Sequence, residues 1–131
     1  MDRARYYELL KICDVVISLH RAEGFGRLMA EAMGLGVPVI ATAYSGNMDF
    51  MTGDNSWLVS GDMVPVFAGD YAFHSGQLWM EPDIAIAARA LRDCAENQTV
   101  RETKVLAARR TIERYSPYQC GLVYKRLLTE G

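Results

Sequence analysis

Apolar positions along the chain change their period several times, and each change marks an element. Tyr6, Leu9, Leu10 and Cys13 recur at helical spacing and predict an amphipathic helix ending near Asp14. Val15 to Leu19 is a continuous, β-branched run of the kind buried on both faces of a parallel sheet. A glycine-rich loop, Arg21 to Gly26, leads into a second helix with Leu28, Glu31, Ala32 and Leu35 on one stripe, stopped by Gly34 and Gly36. Val37 to Ala41 reads as a second buried strand. Tyr44-Ser45-Gly46-Asn47 supplies turn chemistry before a short helix around Met48 to Met51, and Ser56 to Val59 reads as a third strand. Strands alternating with helices imply βαβ crossovers, hence a parallel sheet covered by helices, the α/β doubly wound class.

From Ser60 to Pro82 no period persists, and Phe67, Tyr71, Phe73 and Trp79 are interspersed with Pro65, Gly69 and Gly76, which predicts an ordered excursion or small hairpin. Its rings are expected to pack beneath their own loop, the alternative being a partner surface. Pro82, taken as a first helical position, opens a helix with the stripe Ile84, Ala88, Leu91, Ala95. A second helix carries Val105, Ala108, Ile112 and Tyr115. Ser116-Pro117 caps a third, whose face Cys120, Val123, Tyr124, Leu127 is expected to fold back over something apolar. The expected organisation is one partial domain over 1–131: a βαβ core at 14–60, the aromatic excursion at 61–82 and C-terminal helices at 83–131.

Composition narrows the function classes. In 131 residues, 50% are hydrophobic and 23% charged, enough for a core without disulfide or metal staples. The net charge of -2 and pI near 5.6 argue against nucleic acid as a partner, because phosphate-backbone binders cluster Lys and Arg. Cys13, Cys94 and Cys120 are odd in number, widely spaced and set in apolar stretches, where free cysteine behaves as a small hydrophobe. With His20 and His74 as the only histidines and no CxxC pair, no bound metal is expected. The apolar runs fall short of a membrane span, so the expected location is cytoplasmic, at most peripheral at the inner membrane face.

The chemistry concentrates between His20 and Glu31. Two carboxylates, Glu23 and Glu31, stand eight residues apart, one before a helix and one in its second turn. A strand feeding a glycine loop into a helix leaves the first amides unpaired, with the positive end of the helix dipole behind them, so a phosphate fits there. Gly24 and Gly26 permit close backbone approach, and the flanking carboxylates can accept hydrogen bonds from sugar hydroxyls. Taken alone, the spacing does not decide between this cradle and a plain tight turn with a solvated Glu31.

Glu23-Gly24-Phe25-Gly26 through Glu31-Ala32-Met33, followed by Gly36-Val37-Pro38-Val39-Ile40-Ala41-Thr42, resembles the Glu-x7-Glu signature of family 4 (group 1) retaining glycosyltransferases of the GT-B fold. Tyr44 to Met51, Val64-Pro65-Val66 and the segment Trp79 to Asp83 are similar to one branch of that family, so the resemblance covers nearly the whole chain. It implies a partial Rossmann-like fold, the C-terminal donor-binding domain of GT-B, with a short parallel sheet and a helical tail. It also implies a nucleotide-diphosphate-sugar as donor substrate and no cofactor. By the same resemblance, Glu23 contacts the donor sugar's hydroxyls near the reacting carbon and Glu31 holds the ribose hydroxyls. Gly24, Phe25, Gly26 and Arg27 offer amides to sugar and diphosphate, Ser45 and Gly46 line the neighbouring turn, and Asp49 steadies that turn. The Arg27 side chain, at a position usually apolar in the family, is expected to point to water, with base stacking or a phosphate contact as alternatives.

A whole enzyme of this kind has two Rossmann-like domains, and further βα units of the second carry a basic pair for the diphosphate. Without them the sheet has an uncovered edge at Val15 to Leu19, to be completed by more of the same polypeptide, by a second polypeptide or by a homodimer. The expected function is donor binding for transfer to a glycan or lipid-linked acceptor, reached through the missing domain. The alternative is a non-catalytic nucleotide-sugar-binding or oligomerisation fragment. The isolated chain is expected not to turn over, since part of the leaving-group stabilisation is absent.

Overall fold

A computed structural model of the chain describes residues 2–129. The first helix, α1 (Arg3–Lys11), starts under the Asp2 carboxylate, which accepts from the Arg5 amide at 2.9 Å. Then come β1 (Val16–Ser18), α2 (Arg27–Leu35), β2 (Val39–Thr42), a 3-10 turn at Gly46–Asp49 and β3 (Trp57–Val59). An antiparallel hairpin, β4 (Gly61–Pro65) with β5 (Leu78–Pro82), precedes α3 (Ile84–Glu96), α4 (Gln98–Glu113) and α5 (Pro117–Thr129).

The three strands of the main sheet are parallel in the order β1-β2-β3, with Val16 opposite Val39 and Ile40 opposite Trp57. Side chains alternate across a strand, so β2, buried at every residue, feeds two cores. Val39 and Ala41 pack with Met29 and Met33 of α2, Leu10 of α1 and Ala108 of α4. Ile40 faces the other way, packing with Trp57 and Val59 of β3 and with Ala87 and Cys94 of α3. The Trp57 indole N–H donates to Asp93 at 2.7 Å and ties α3 to the sheet. Helices thus cover both faces of a short parallel sheet, the α/β class that the alternation of periods implied.

The three strands of the main sheet and their parallel pairing follow the hydrophobic pattern; helix faces and some boundaries differ from it. Helix α2 runs through Gly34, which faces Ile112 of α4, and ends instead at Gly36, which adopts φ +80° and donates to the Met33 carbonyl. It buries Met29, Ala30, Ala32 and Met33, while Leu28 is exposed. Pro82 closes β5, and Asp83 is the true cap of α3, its carboxylate accepting from the amides of Ala85 and Ile86. That helix lies on the sheet through small residues, Ala87 and Cys94, so the bulkier Ile84 and Leu91 of the expected stripe face outward.

Two expectations fail at the surface. Helix α5 buries no residue, and its face of Cys120, Val123, Tyr124 and Leu127 is exposed. The aromatic excursion is a hairpin, but Phe67, Tyr71 and Phe73 stand in solvent at its tip; only Trp79 is half-buried. A two-stranded hairpin has no second layer to receive such rings. Of the cysteines, Cys94 is buried, Cys13 half-buried and Cys120 exposed.

Ile40→Ala should cost about 2–5 kcal/mol, as for a large-to-small change in a packed interior, and Ile84→Ala less than about 0.5 kcal/mol. Urea unfolding followed by circular dichroism compares the two. Burial raises the Cys94 thiol pKa, so a maleimide at neutral pH should label Cys120 first and reach Cys94 only as the chain opens.

Candidate functional site

The chain leaves β1 at its carboxyl end, where ligands gather in open parallel sheets. His20 stands there and bridges the ends of two strands. Its Nε2 lies 3.1 Å from both the Tyr44 carbonyl and Asn47 Oδ1, and its Nδ1 lies 3.1 Å from Ser18 Oγ. Two oxygens facing Nε2 require the proton there, so Nδ1 accepts from the serine. Asn47 is fully buried and donates to the Thr42 carbonyl at the end of β2 (2.9 Å).

The loop itself is clamped through its backbone. Ser45 Oγ accepts from the Glu23 amide and donates to the Glu23 carbonyl, both at 2.7 Å, and the Gly46 amide donates to the same carbonyl at 3.0 Å. A Cβ on Gly46 would overlap the Gly24 carbonyl, so only glycine allows the two turns to meet. Ser45 adopts φ +70° to reach this position. The Glu23 side chain remains exposed, accepting from the Gly24 amide at 3.0 Å.

Gly26 is the N-cap of α2 at φ +93°, with no side-chain cap. The amides of residues 27–29 therefore have no intrahelical acceptor and open toward the loop. Behind them the Phe25 ring lies 5.1 Å from Phe50 and 6.1 Å from Tyr115, whose hydroxyl donates to the Asp49 carbonyl at 2.8 Å. Tyr115, two residues beyond α4, thus pins both the glycine loop and the 3-10 turn.

Glu31 faces a hollow of about 690 Å³ between α1, α2 and the junction of α4 and α5. The Tyr7 hydroxyl lies 3.4 Å from the Glu31 carboxylate while accepting from the Arg3 guanidinium at 2.9 Å; Arg27 sits 3.3 Å from the same carboxylate. Arg109, which donates to the Leu35 carbonyl at 3.0 Å, lines the hollow as well. Three guanidiniums against the carboxylates of Glu31 and Glu113 leave the lining net positive, which suits an anionic ligand. Tyr6 has its phenol pKa raised, chiefly by burial and further by Glu31, and stays neutral there.

The expected residues thus divide between two adjoining places. Phe25, Arg27 and Glu31 line the hollow; Glu23, Gly24, Ser45 and Gly46 form the clamped turn; Gly26 joins them. The Arg27 side chain is solvated, yet pairs with Glu31. Sequence reasoning missed His20, Tyr7, Arg3, Arg109 and Tyr115. A histidine at the carboxyl end of a buried strand was a readable signal; Tyr7 and Tyr115 were not, because only packing brings them to the loop. Among the described residues, no three His, Cys, Asp or Glu side chains converge as a metal site, and no helix is long and apolar enough to cross a membrane.

Comparisons with known proteins bear on part of the sequence and on the fold. Residues 1–63 match the family model of glycosyl transferases group 1. The fold, a short parallel sheet with C-terminal helices, is similar to that of GT-B glycosyltransferase structures. Crystal structures of Anabaena Alr3699/HepE in complex with UDP (22% identity, TM-score 0.68) and with UDP and glucose (21%, TM-score 0.70) superpose on 95% of this chain. Sucrose-phosphate synthase (tll1590) from Thermosynechococcus elongatus superposes on 98% at 21% identity and TM-score 0.62. The chain spans 29% of the Alr3699/HepE chain and 28% of the synthase. No curated protein matches the sequence.

Ser45→Ala removes both hydroxyl bonds of the clamp and should cost about 1–2 kcal/mol. Amide hydrogen exchange is the direct readout: the Glu23 amide should lose protection while the amides of β2 keep theirs.

Proposed function

We propose that the chain is the donor-binding portion of a retaining glycosyltransferase, taking a nucleotide-diphosphate-sugar and passing its sugar to a glycan or lipid-linked acceptor. One observation carries the reading: an uncapped helix N-terminus, reached through a left-handed glycine, opens between an exposed glutamate and a cationic hollow that holds a second glutamate. The Alr3699/HepE structures, crystallised with UDP, UDP and glucose, or UDP-glucose, support the nucleotide class.

In this reading the diphosphate lies against the amides of residues 25–29. Arg27 swings from Glu31 to a phosphate or remains in water. Glu31 accepts hydrogen bonds from the ribose hydroxyls, oriented by the Tyr7 hydroxyl and Arg3. Glu23 receives hydroxyls of the donor sugar beside the reacting carbon, and its position is set by Ser45 and Gly46. As the glycosidic bond to the diphosphate breaks, negative charge grows on the leaving phosphate, where fixed amides and the helix dipole stabilise it without reorganisation. The free edge of β1, where Ile17 is exposed, is completed by further βα units, and the acceptor is held by a further domain. That domain comes from the same polypeptide, a second polypeptide or a second copy.

UDP added to the isotopically labelled chain should shift the amides of residues 24–29, with no transfer from UDP-glucose by the chain alone. Glu31→Ala should weaken UDP about 10- to 100-fold, the loss of hydrogen bonds to a charged acceptor. A 2′,3′-dideoxy analogue should bind wild type and variant equally. Unchanged loop amides at saturating UDP would remove the reading.

A further inference from the structure

We propose that the groove of the β4–β5 hairpin is a saccharide subsite on the acceptor side of the donor loop; the acceptor assignment rests on the donor reading of Glu23. The hairpin is docked on that loop. The Met80 amide donates to the Arg21 carbonyl at 3.0 Å, Arg21 pairs with Glu81 at 2.6 Å, and its guanidinium lies 4.9 Å from the Trp79 ring centroid. A cavity of about 380 Å³ opens at this junction, within the range of small-molecule sites. It is lined by Val66, Tyr71, Phe73, Leu78, Trp79 and, from the donor loop, Ala22, the residue before Glu23.

The lining is chemically specific. Phe73 is 93% exposed and sits at φ +57°, a conformation unfavourable for a bulky side chain. Two local turns hold it there: the Asp70 amide donates to the Phe67 carbonyl at 3.1 Å, and the Gln77 amide to the His74 carbonyl at 2.9 Å. An exposed ring in a strained, turn-braced position points to a ligand rather than to packing. Residues 61–82 contain Asp62, Asp70 and Glu81 but neither Lys nor Arg. An anionic lipid surface recruits basic residues around its aromatics, so it is disfavoured here. A pyranose suits the groove: its C–H face packs on aromatic rings, and its hydroxyls find polar partners in Gln77 and the Tyr71 hydroxyl, which line it. Its neighbour across Ala22 is the proposed donor-sugar end, where an acceptor hydroxyl has to arrive.

Nuclear magnetic resonance on the full chain tests this with methyl glycosides of glucose, galactose, mannose, rhamnose and N-acetylglucosamine, together with maltose, at tens of millimolar. The Trp79 indole and the Tyr71 and Phe73 ring signals should shift saturably with at least one of them. Phe73→Ala and Tyr71→Ala should each weaken that response about fivefold, the scale of one aromatic contact, while leaving the UDP response of residues 24–29 intact. The inference is overturned if no saccharide moves the rings while UDP still moves the donor loop. It is equally overturned if phosphatidylglycerol vesicles, or self-association without sugar, produce the ring shifts instead. A saccharide response in a chain that does not respond to UDP would sink the acceptor assignment together with the donor reading.

Discussion

The backbone clamp between Glu23 and Ser45-Gly46 is the constraint on which the rest of the site depends. A glycine-rich loop is intrinsically mobile, and three hydrogen bonds to the peptide groups of one residue convert it into a fixed edge. The close approach that makes them possible tolerates no Cβ at Gly46. Because the bonds use backbone and serine, the clamp leaves the Glu23 carboxylate exposed, bonded to the Gly24 amide alone within its loop. Fixed dipoles aimed at a charge stabilise it more than mobile ones do, and the clamp is what fixes the loop's amides.

Support for that clamp comes from elements far apart in sequence. His20 and Asn47 join the carboxyl ends of β1 and β2 below it. Tyr115 reaches back to Asp49 and to the Phe25 ring, so the region after α4 is part of the site's scaffold rather than an appendage. The hollow beside Glu31 is likewise assembled by α1 and the α4–α5 junction. Two of its three guanidiniums, Arg3 and Arg109, are held by hydrogen bonds to Tyr7 and to the Leu35 carbonyl. Anchored cations lose less freedom on meeting an anion than solvated ones do.

Three surfaces remain uncovered: the β1 edge, the α5 face and the hairpin tip. They differ in kind. The edge exposes main chain and α5 exposes a mixed aliphatic and tyrosine face, whereas the hairpin forms an aromatic groove next to the glycine loop and carries acidic residues but neither Lys nor Arg of its own. Shape, charge and location together distinguish a ligand site from an unpaired face.

The strands, their parallel order and the glycine loop were legible because they depend on local signals: β-branched runs, a period that switches, and glycines where φ turns positive, as at Gly26 and Gly36. Helix faces were less so. Residues Ile84 and Leu91 follow helical spacing, yet α3 packs on the sheet through Ala87 and Cys94, flanked by Ile86 and Ala90, a face turned away from that stripe. The sequence by itself determined that Glu23 and Glu31 flank a loop that feeds a helix. Only the tertiary structure decided that Ser45 would lock that loop, that Tyr7 and Arg3 would orient Glu31, and that the aromatic hairpin would open beside Ala22. Those contacts join residues tens of positions apart, and no local period records which of them packing will bring together.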